Sequence, residues 1–203
     1  GSVDGITIGY KGRLLLKVLF KGKASHSSSE EENPVLKFIE FSNKVIGIHK
    51  GENLFESLSY SPTSIIAESE SNVMPSECRT TIDLRVPPGL SHEDVLKEIS
   101  KDLDGEIELV EGVDGVISSK NNILVKTLVN AIRENGLSPK YKRKTGSSDM
   151  NLLVRLTENI VTYGPGDSSL DHTDMEFINI DEYLKSIDIL EKAISEIFRK
   201  TSS

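Results

Sequence analysis

Cysteine is almost missing from this sequence, which has a single one, Cys78, among 203 residues. One thiol cannot form an internal disulfide, and no second thiol is available for a cysteine-rich zinc site. A reducing, cytoplasmic location is therefore expected. No apolar run approaches the roughly 20 residues that span a bilayer, and no signal peptide is recognised, so no membrane partner is expected.

Positive charge is also scarce, because 24 Lys and Arg residues are outnumbered by 32 Asp and Glu residues, and the net charge is −8. Nucleic acids and anionic membranes bind clustered Lys and Arg, so no nucleic acid is expected as the main partner. A small soluble substrate or a protein partner is favoured. The opening Gly1-Ser2 is typical of a cloning scar and no initiator methionine is present, so a fragment of a longer protein is expected.

The composition is that of a soluble globular protein, with 36% hydrophobic and 28% charged residues. Between residues 13 and 111 the pattern predicts strand, helix, strand, strand, helix, strand. The first helix is expected to start with Asn33 as N-cap and Pro34 as its first residue, and its predicted apolar stripe follows helical spacing over Val35, Phe38, Ile39, Ser42, Val45 and Ile46. In the third strand, Cys78, Thr80, Ile82, Leu84 and Val86 alternate with polar residues, which indicates one buried face. This order is the split βαββαβ, ferredoxin-like arrangement, an antiparallel sheet covered by two helices on one face.

After residue 119 the pattern changes to alternating helix and strand. It predicts a helix over 122–135, strands over 140–144 and 159–163, and a last helix over 181–199. Such alternation indicates one edge of an α/β layer, to which the first eleven residues also belong. The last helix carries one apolar stripe, formed by Leu184, Ile187, Leu190, Ile194 and Ile197.

Polar chemistry concentrates between residues 144 and 177. The run Thr145-Gly146-Ser147-Ser148-Asp149 precedes a short apolar helical segment, and its amides and hydroxyls are expected at a helix N-terminus that favours anions. Further on, Gly164-Pro165-Gly166 breaks the chain, and a polar loop follows with His172. A histidine on such a loop is a candidate ligand or catalyst.

Five motifs in this order carry a resemblance. They are GYKG followed by a strand and GKASHSS, NVMP followed by TTIDLR, TGSSDMNLL, YGPG, and LDHTDME. In order and spacing the sequence resembles the acetylornithine deacetylase and succinyl-diaminopimelate desuccinylase family of zinc amidohydrolases, over nearly the whole chain. Within it, the TGSSDMN form is most similar to the deacetylases and carrier-protein hydrolases that release lysine or ornithine in lysine and arginine biosynthesis.

The resemblance implies an α/β fold with an inserted ferredoxin-like lid that also forms a homodimer. Residues 1–11 and 116–203 would belong to the catalytic domain, and residues 12–115 to the lid. The intact active site would hold two Zn²⁺ or Co²⁺ ions, and metal-polarised water would attack an amide carbonyl while a glutamate acts as general base. The substrate would be a small acylated amino acid or an amino-group carrier protein bearing lysine or ornithine.

Most metal ligands of the family lie before the GYKG stretch, so the chain is expected to begin after them and to be inactive alone, with its metals not fully bound. Apolar surface normally buried in the catalytic domain is then expected to be exposed or covered by another chain.

The resemblance also implies roles for single residues. His172 would be the one metal ligand retained, and His26 would reach across the dimer to stabilise the oxyanion in the partner's site. The residues implied in substrate binding are Lys11, Asn72, Arg85, Gly146, Ser147 and Ser148.

From the residues alone, each role has an ordinary alternative. His26 and His172 read as solvated loop histidines, Arg85 as a partner in a solvent-facing salt bridge, and Ser147 and Ser148 as helix N-caps. Lys11 reads as a solvated turn lysine, and Asn72 as a structural residue of its turn. For the whole chain, the alternatives are an amino-acid-sensing module, which would bind amino acid without metal, or a dimerisation module without catalysis.

Overall fold

In a computed structural model that describes residues 1–26, 28, 32–168, 170 and 173–201, the chain forms eight strands and five helices. The strands are β1 Gly5–Tyr10, β2 Gly12–Lys21, β3 Ser59–Ile66, β4 Glu77–Val86, β5 Glu106–Val113, β6 Val116–Ile117, β7 Lys140–Lys144 and β8 Thr162–Tyr163. The helices are α1 Pro34–Ile46, α2 His92–Ser100, α3 Ile123–Glu134, α4 Met150–Leu153 and α5 Ile180–Thr201. Among the described residues, no helix is long and apolar enough to cross a membrane.

Contacts between residues divide the chain into two units. Unit 1 comprises Gly1–Tyr10, Val116–Lys144 and Ser148–Ser203, and unit 2 comprises Lys11–Gly115 and Thr145–Ser147. The domain boundaries expected at residues 11/12 and 115/116, and the roles attached to those domains, stay predictions.

Unit 2 has the predicted ferredoxin-like order, β2-α1-β3-β4-α2-β5. Its sheet runs β3-β4-β2-β5 with every neighbouring pair antiparallel. The expected parity of β4 is confirmed, because its five residues from Cys78 to Val86 at even positions are all buried. Even-numbered residues of β2 join them to form the core, since paired strands place side chains in register on one face.

Two helices cover that face. The helix α1 begins as expected, with the Asn33 side chain accepting a hydrogen bond from the Val35 N–H at 2.9 Å and Pro34 in the first turn. Its buried side differs from the predicted stripe: Phe41 is buried, whereas Ile39 is 45% exposed. The reason is aromatic packing, because the rings of Phe38 and Phe41 both lie against Phe20, with centroids 6.1 and 5.7 Å away.

Unit 1 is built around β1. This strand runs parallel to β7 on one side and antiparallel to the short strands β6 and β8 on the other. The predicted strand over 159–163 is shorter in the structure, where only Thr162–Tyr163 pairs. The helices α3 and α5 pack on one face of β1, and the core they form with it contains Ile6, Ile8, Val125, Leu128, Val129, Ala131, Ile132, Ile189 and Ala193.

The last helix buries a narrow side that is not its apolar stripe. Its buried residues are Ser186, Ile189 and Ala193. Small side chains there let α5 approach α3 closely. The predicted stripe remains on the outside, with Leu184 54% and Ile194 48% exposed. The exposed apolar surface expected for the catalytic segment is therefore present on unit 1.

Candidate functional site

The polar face of β4 carries the arginine expected to bind substrate. Arg85 donates from Nη2 to Asp83 Oδ2 at 3.0 Å and from Nη1 to Ser147 Oγ at 3.1 Å. Its Nε also lies 2.9 Å from Asp83 Oδ1, an ion-pair contact without hydrogen-bond geometry, so this buried oxygen accepts no hydrogen bond from the described residues. The guanidinium is thus oriented by one carboxylate and reaches the TGSS segment with its other end.

The Asp83 carboxylate accepts hydrogen bonds from two arginines. Arg13 lies directly opposite Arg85 on the neighbouring strand β2, and it donates to Asp83 Oδ2 from Nε at 3.0 Å and Nη2 at 2.8 Å. Its Nη1 donates to Glu111 Oε2 at 2.8 Å. The hydrogen bond to Asp83 raises the pKa of Arg13, and the nearby Glu111 adds to this. The shared carboxylate is what allows two like charges to sit across a strand pair.

Lys11 is fully buried, which its place in a glycine-flanked turn did not indicate. Its Nζ donates to Leu54 O at 3.0 Å, Ser57 O at 2.5 Å and Ser59 Oγ at 2.6 Å. Burial, followed by the positive charge of Arg85, lowers the pKa of Lys11 to about 8. An ammonium has three donors, so these acceptors engage all of them. Substrate binding by Lys11 stays a prediction, and the contacts describe a clamp on the segment before β3.

His26 and the turn containing Asn72 are brought together at one end of unit 2. His26 forms an isolated antiparallel bridge with Val73, and the Met74 N–H donates to Ser25 O at 2.8 Å. Both His26 and Asn72 are exposed, and His26 Nδ1 lies 2.8 Å from Ser28 Oγ. Residues 46 positions apart in sequence are therefore neighbours, while their implied roles at a partner's site stay predictions.

The two serines of the TGSS segment make different hydrogen bonds. Ser148 lies one residue before Asp149, the N-cap of α4; its Oγ accepts from the Met150 N–H at 3.2 Å and its own N–H donates to Asn151 Oδ1 at 2.8 Å. Ser147 is not a cap, because its hydroxyl accepts from Arg85. At Gly146 no atom lies within 4 Å of where a Cβ would stand, so this position has open space around it. Ligand contacts by these three residues stay predictions.

The implied metal ligand His172 lies outside the described residues. Within the part of the chain that the structure describes, no group of three or more His, Cys, Asp or Glu side chains is placed to hold a metal ion. A catalytic zinc site draws on about three protein ligands, so the described residues do not fit two metal ions.

Sequence reasoning missed Asp83 and the burial of Lys11. A signal for Asp83 was present, because it shares the polar face of β4 with Arg85 two residues away. For Lys11 no local signal exists, since two of its acceptors are backbone carbonyls more than 40 positions further along the chain.

Comparison with known proteins agrees with this architecture. The M20 peptidase dimerisation domain matches residues 8–109. The LysW-lysine/LysW-ornithine hydrolase of Saccharolobus solfataricus is 35% identical over 200 residues, which cover 98% of this chain and 57% of that protein. The chain thus spans little more than half the length of this curated relative.

Solved structures share the fold. Aminopeptidase PepT from Bacillus cereus superposes with a TM-score of 0.78 at 16% identity, over 97% of this chain and 55% of that one. The M20 family metallo-carboxypeptidase Sso-CP2 from Sulfolobus solfataricus gives a TM-score of 0.74 at 17% identity, over 93% and 59%. The resemblance read from the five motifs is confirmed: the chain belongs to the M20 peptidase family, and within it is similar to the LysW-lysine/LysW-ornithine hydrolases.

Proposed function

We propose that the protein to which this chain belongs is an amidohydrolase that releases lysine or ornithine from an N-acylated or carrier-protein-linked form in amino-acid biosynthesis. The observation that carries the proposal is 35% identity over 98% of the chain to a LysW-lysine/LysW-ornithine hydrolase. A cytoplasmic location is part of the proposal, because a chain with the single thiol of Cys78 cannot form an internal disulfide.

Arg85 is the proposed anchor for the substrate carboxylate. Its guanidinium is held by Asp83 on one side, and its Nη1 points to the Ser147 hydroxyl. A planar guanidinium that is already oriented loses little freedom when it binds a carboxylate, which supports this role. Asp83 and Arg13 would then be the residues that position it.

Unit 2 is the proposed dimerisation surface. It matches a peptidase dimerisation domain, and β3 lies at the edge of its sheet with Ile65 and Ile66 more than half exposed. An edge strand with apolar side chains is a template for pairing with a second copy. His26 and Asn72 lie together at one end of the same unit, which supports their proposed reach into a partner's active site as oxyanion donor and substrate contact.

We propose further that the 203-residue chain alone is inactive, and that the complete site uses Zn²⁺ or Co²⁺ with His172 as one ligand. Support comes from the missing three-ligand group among the described residues and from the relative's greater length. A general base contributes about 10²–10⁴-fold, so a site without its base and most ligands should show no measurable turnover.

The test measures release of lysine and ornithine from their Nα-acetyl and carrier-linked forms, with and without Zn²⁺ or Co²⁺. The 203-residue chain alone should release neither lysine nor ornithine. The same chain joined to the remaining segment of the Saccharolobus solfataricus relative should be active, and His172→Ala should abolish that activity. Metal-dependent turnover by the chain alone would refute the inactivity, and lysine binding without any metal dependence would favour a sensing module instead.

A matched pair of variants distinguishes a specific contact of Arg85 with the substrate from the loss of one positive charge on β4. In the active fusion, Arg85→Gln should raise KM by about tenfold or more, since a charge-assisted hydrogen bond is worth roughly 1.5–3 kcal/mol. Arg79→Gln removes the same charge from the same face of β4, where the side chain is 66% exposed and pairs with Glu77, and should leave KM unchanged. Equal effects of both changes would contradict the assignment.

A further inference from the structure

The strand β7 concentrates positive charge in a chain whose net charge is −8. Four of its five residues are cationic, namely Lys140, Lys142, Arg143 and Lys144. Lys120 joins them, with its Nζ 4.6 Å from the centroid of the Tyr141 ring. We call these five cations the basic edge.

The three lysines of β7 differ in their partners, and only one of them pairs with a carboxylate among the described residues. Lys140 pairs with Asp4 at 2.7 Å. Lys142 Nζ donates to the uncharged Gly1 O at 2.9 Å, and Lys144 Nζ donates to the Ser168 hydroxyl. These neutral oxygens orient two ammonium groups without cancelling their charge.

The same strand has an open edge. Among the described residues β7 pairs only with β1, in parallel. The Lys140 N–H bonds to Asp4 O at 2.8 Å, so Tyr141, the next residue, directs its N–H and C=O away from β1. Such an edge can accept a further strand through main-chain hydrogen bonds.

Both sides of the strand carry cations. Side chains alternate, so Lys140, Lys142 and Lys144 lie on one face, and Arg143 lies on the other with Tyr141 and the Lys120 that covers its ring. An added strand with carboxylates on both of its faces would therefore meet positive charge on each side.

We propose that the basic edge binds an acidic polypeptide segment in extended conformation, through main-chain hydrogen bonds to β7 and carboxylate contacts with its cations. A polypeptide fits better than a nucleic acid, because only a polypeptide continues the hydrogen-bond ladder and because the rest of this acidic chain repels a long polyanion. The inference goes beyond the proposed function and does not depend on it, since edge pairing needs no catalysis.

The first experiment uses the 203-residue chain and fluorescein-labelled octapeptides followed by fluorescence anisotropy. The probe repeats a unit of two glutamates followed by two threonines, so that both faces of its extended strand carry carboxylates. Its controls are a lysine–threonine peptide, the acidic peptide with alternate amides N-methylated, and an oligothymidylate of equal charge. The acidic peptide should bind and should slow hydrogen exchange at the Tyr141 amide, and N-methylation should weaken binding about tenfold or more.

The second experiment compares two charge-matched double variants. Lys120→Gln with Lys140→Gln should weaken binding of the acidic peptide by about tenfold, from two lost charge contacts. Lys126→Gln with Lys192→Gln removes the same charge from exposed positions on α3 and α5 and should change binding less than about twofold. Circular dichroism confirms that each variant is folded, and the exchange measurement on the unmodified chain needs no variant.

Several results would overturn the inference. No binding of the acidic peptide, equal losses in the two double variants, or no effect of N-methylation would each remove it. Tighter binding of oligothymidylate than of the peptide would make this strand a nucleic-acid contact instead.

Discussion

Units 1 and 2 differ in how their helices use apolar side chains. In unit 2, α1 and α2 fill one face of a four-stranded sheet, and residues such as Ile82, Leu84 and Ile99 are completely buried. In unit 1, α5 buries the small residues Ser186 and Ala193 and leaves its apolar stripe outside. The helices of unit 2 therefore place large apolar side chains in the core, whereas the last helix of unit 1 packs through small residues and leaves its apolar stripe exposed.

The largest expected effect tests this contrast directly. Ile82→Ala empties a fully buried site in the middle of unit 2 and should lower the free energy of unfolding by about 2–5 kcal/mol. Ile187→Ala makes the same change on the stripe, where the side chain is 43% exposed, and should lower it by less than about 0.5 kcal/mol. Urea unfolding followed by circular dichroism measures both, and equal losses would erase the distinction between the units.

A second effect concerns the polar interior of unit 2. Lys11→Met should lower the free energy of unfolding by about 2 kcal/mol, because Leu54 O, Ser57 O and Ser59 Oγ lose their shared donor. Lys17→Met, on the solvent side of β2 with a 58% exposed side chain, is the matched control and should have almost no effect. If Lys11→Met lowered the free energy of unfolding only slightly, water molecules would have to replace Lys11 as the hydrogen-bond donor to these three acceptors.

The same lysine predicts a pH dependence. Its pKa is lowered to about 8 from an ordinary 10.5 by burial and by Arg85. Between these two pH values the unfolded chain binds the proton and the folded chain does not, so the contribution of Lys11 to the free energy of unfolding rises with pH. The difference in unfolding free energy between the unmodified chain and Lys11→Met should therefore grow from pH 8 to pH 10. A flat difference would show that Lys11 titrates at its ordinary pKa.

A third effect concerns the arginine pair. Asp83→Asn leaves two half-buried guanidiniums without their carboxylate and should lower the free energy of unfolding by about 1–2 kcal/mol. Glu108→Gln breaks the exposed pair with Lys17 at 3.5 Å and should change it by less than about 0.5 kcal/mol. Adding Arg85→Gln to Asp83→Asn should restore part of the loss, and a double-mutant cycle without coupling would contradict the shared-carboxylate arrangement.

The smallest effect on stability should come from polar changes on the stripe. Ile187→Glu with Ile194→Glu should leave the urea midpoint nearly unchanged, while it reduces binding of a hydrophobic dye and self-association in sedimentation. Ser195→Glu adds charge to an exposed position of the same helix as a control. Strong destabilisation by the stripe variants would show that the stripe is packed.

The sequence predicted the secondary structure of unit 2 because each signal there is local. Alternation in β4, the Asn33 cap and the Pro34 start need only a few neighbouring residues. The same locality explains the wrong choice on α1, where helical spacing alone does not tell Phe41 from Ile39 as the core residue. Ring packing against Phe20, which lies on another element, decides between them.

The candidate site was less predictable because its geometry depends on distant pairings. The registers that set Arg13 opposite Arg85 and His26 beside Val73 join residues far apart in sequence. On α5 the stripe itself was read correctly, but the buried side consists partly of Ser186 and Ala193, whose small size favours close packing without a strong apolar signal. His172 lies outside the described residues, so its role stays a prediction.

The strand pairing of unit 2 has a consequence for how the chain folds. Its first and last strands are neighbours, with Arg13 opposite Val113, whereas unit 1 must join Gly5 to Lys140 from widely separated parts of the sequence. If the segment between β1 and β7 were unfolded, pairing these two strands would cost the conformational entropy of closing that whole segment into a loop. Once unit 2 has folded, its adjacent ends replace that loop by a gap of about one strand spacing, roughly 5 Å. Early folding of unit 2 should thus speed the formation of β1–β7, and lengthening a surface loop within unit 2 should leave that speed unchanged.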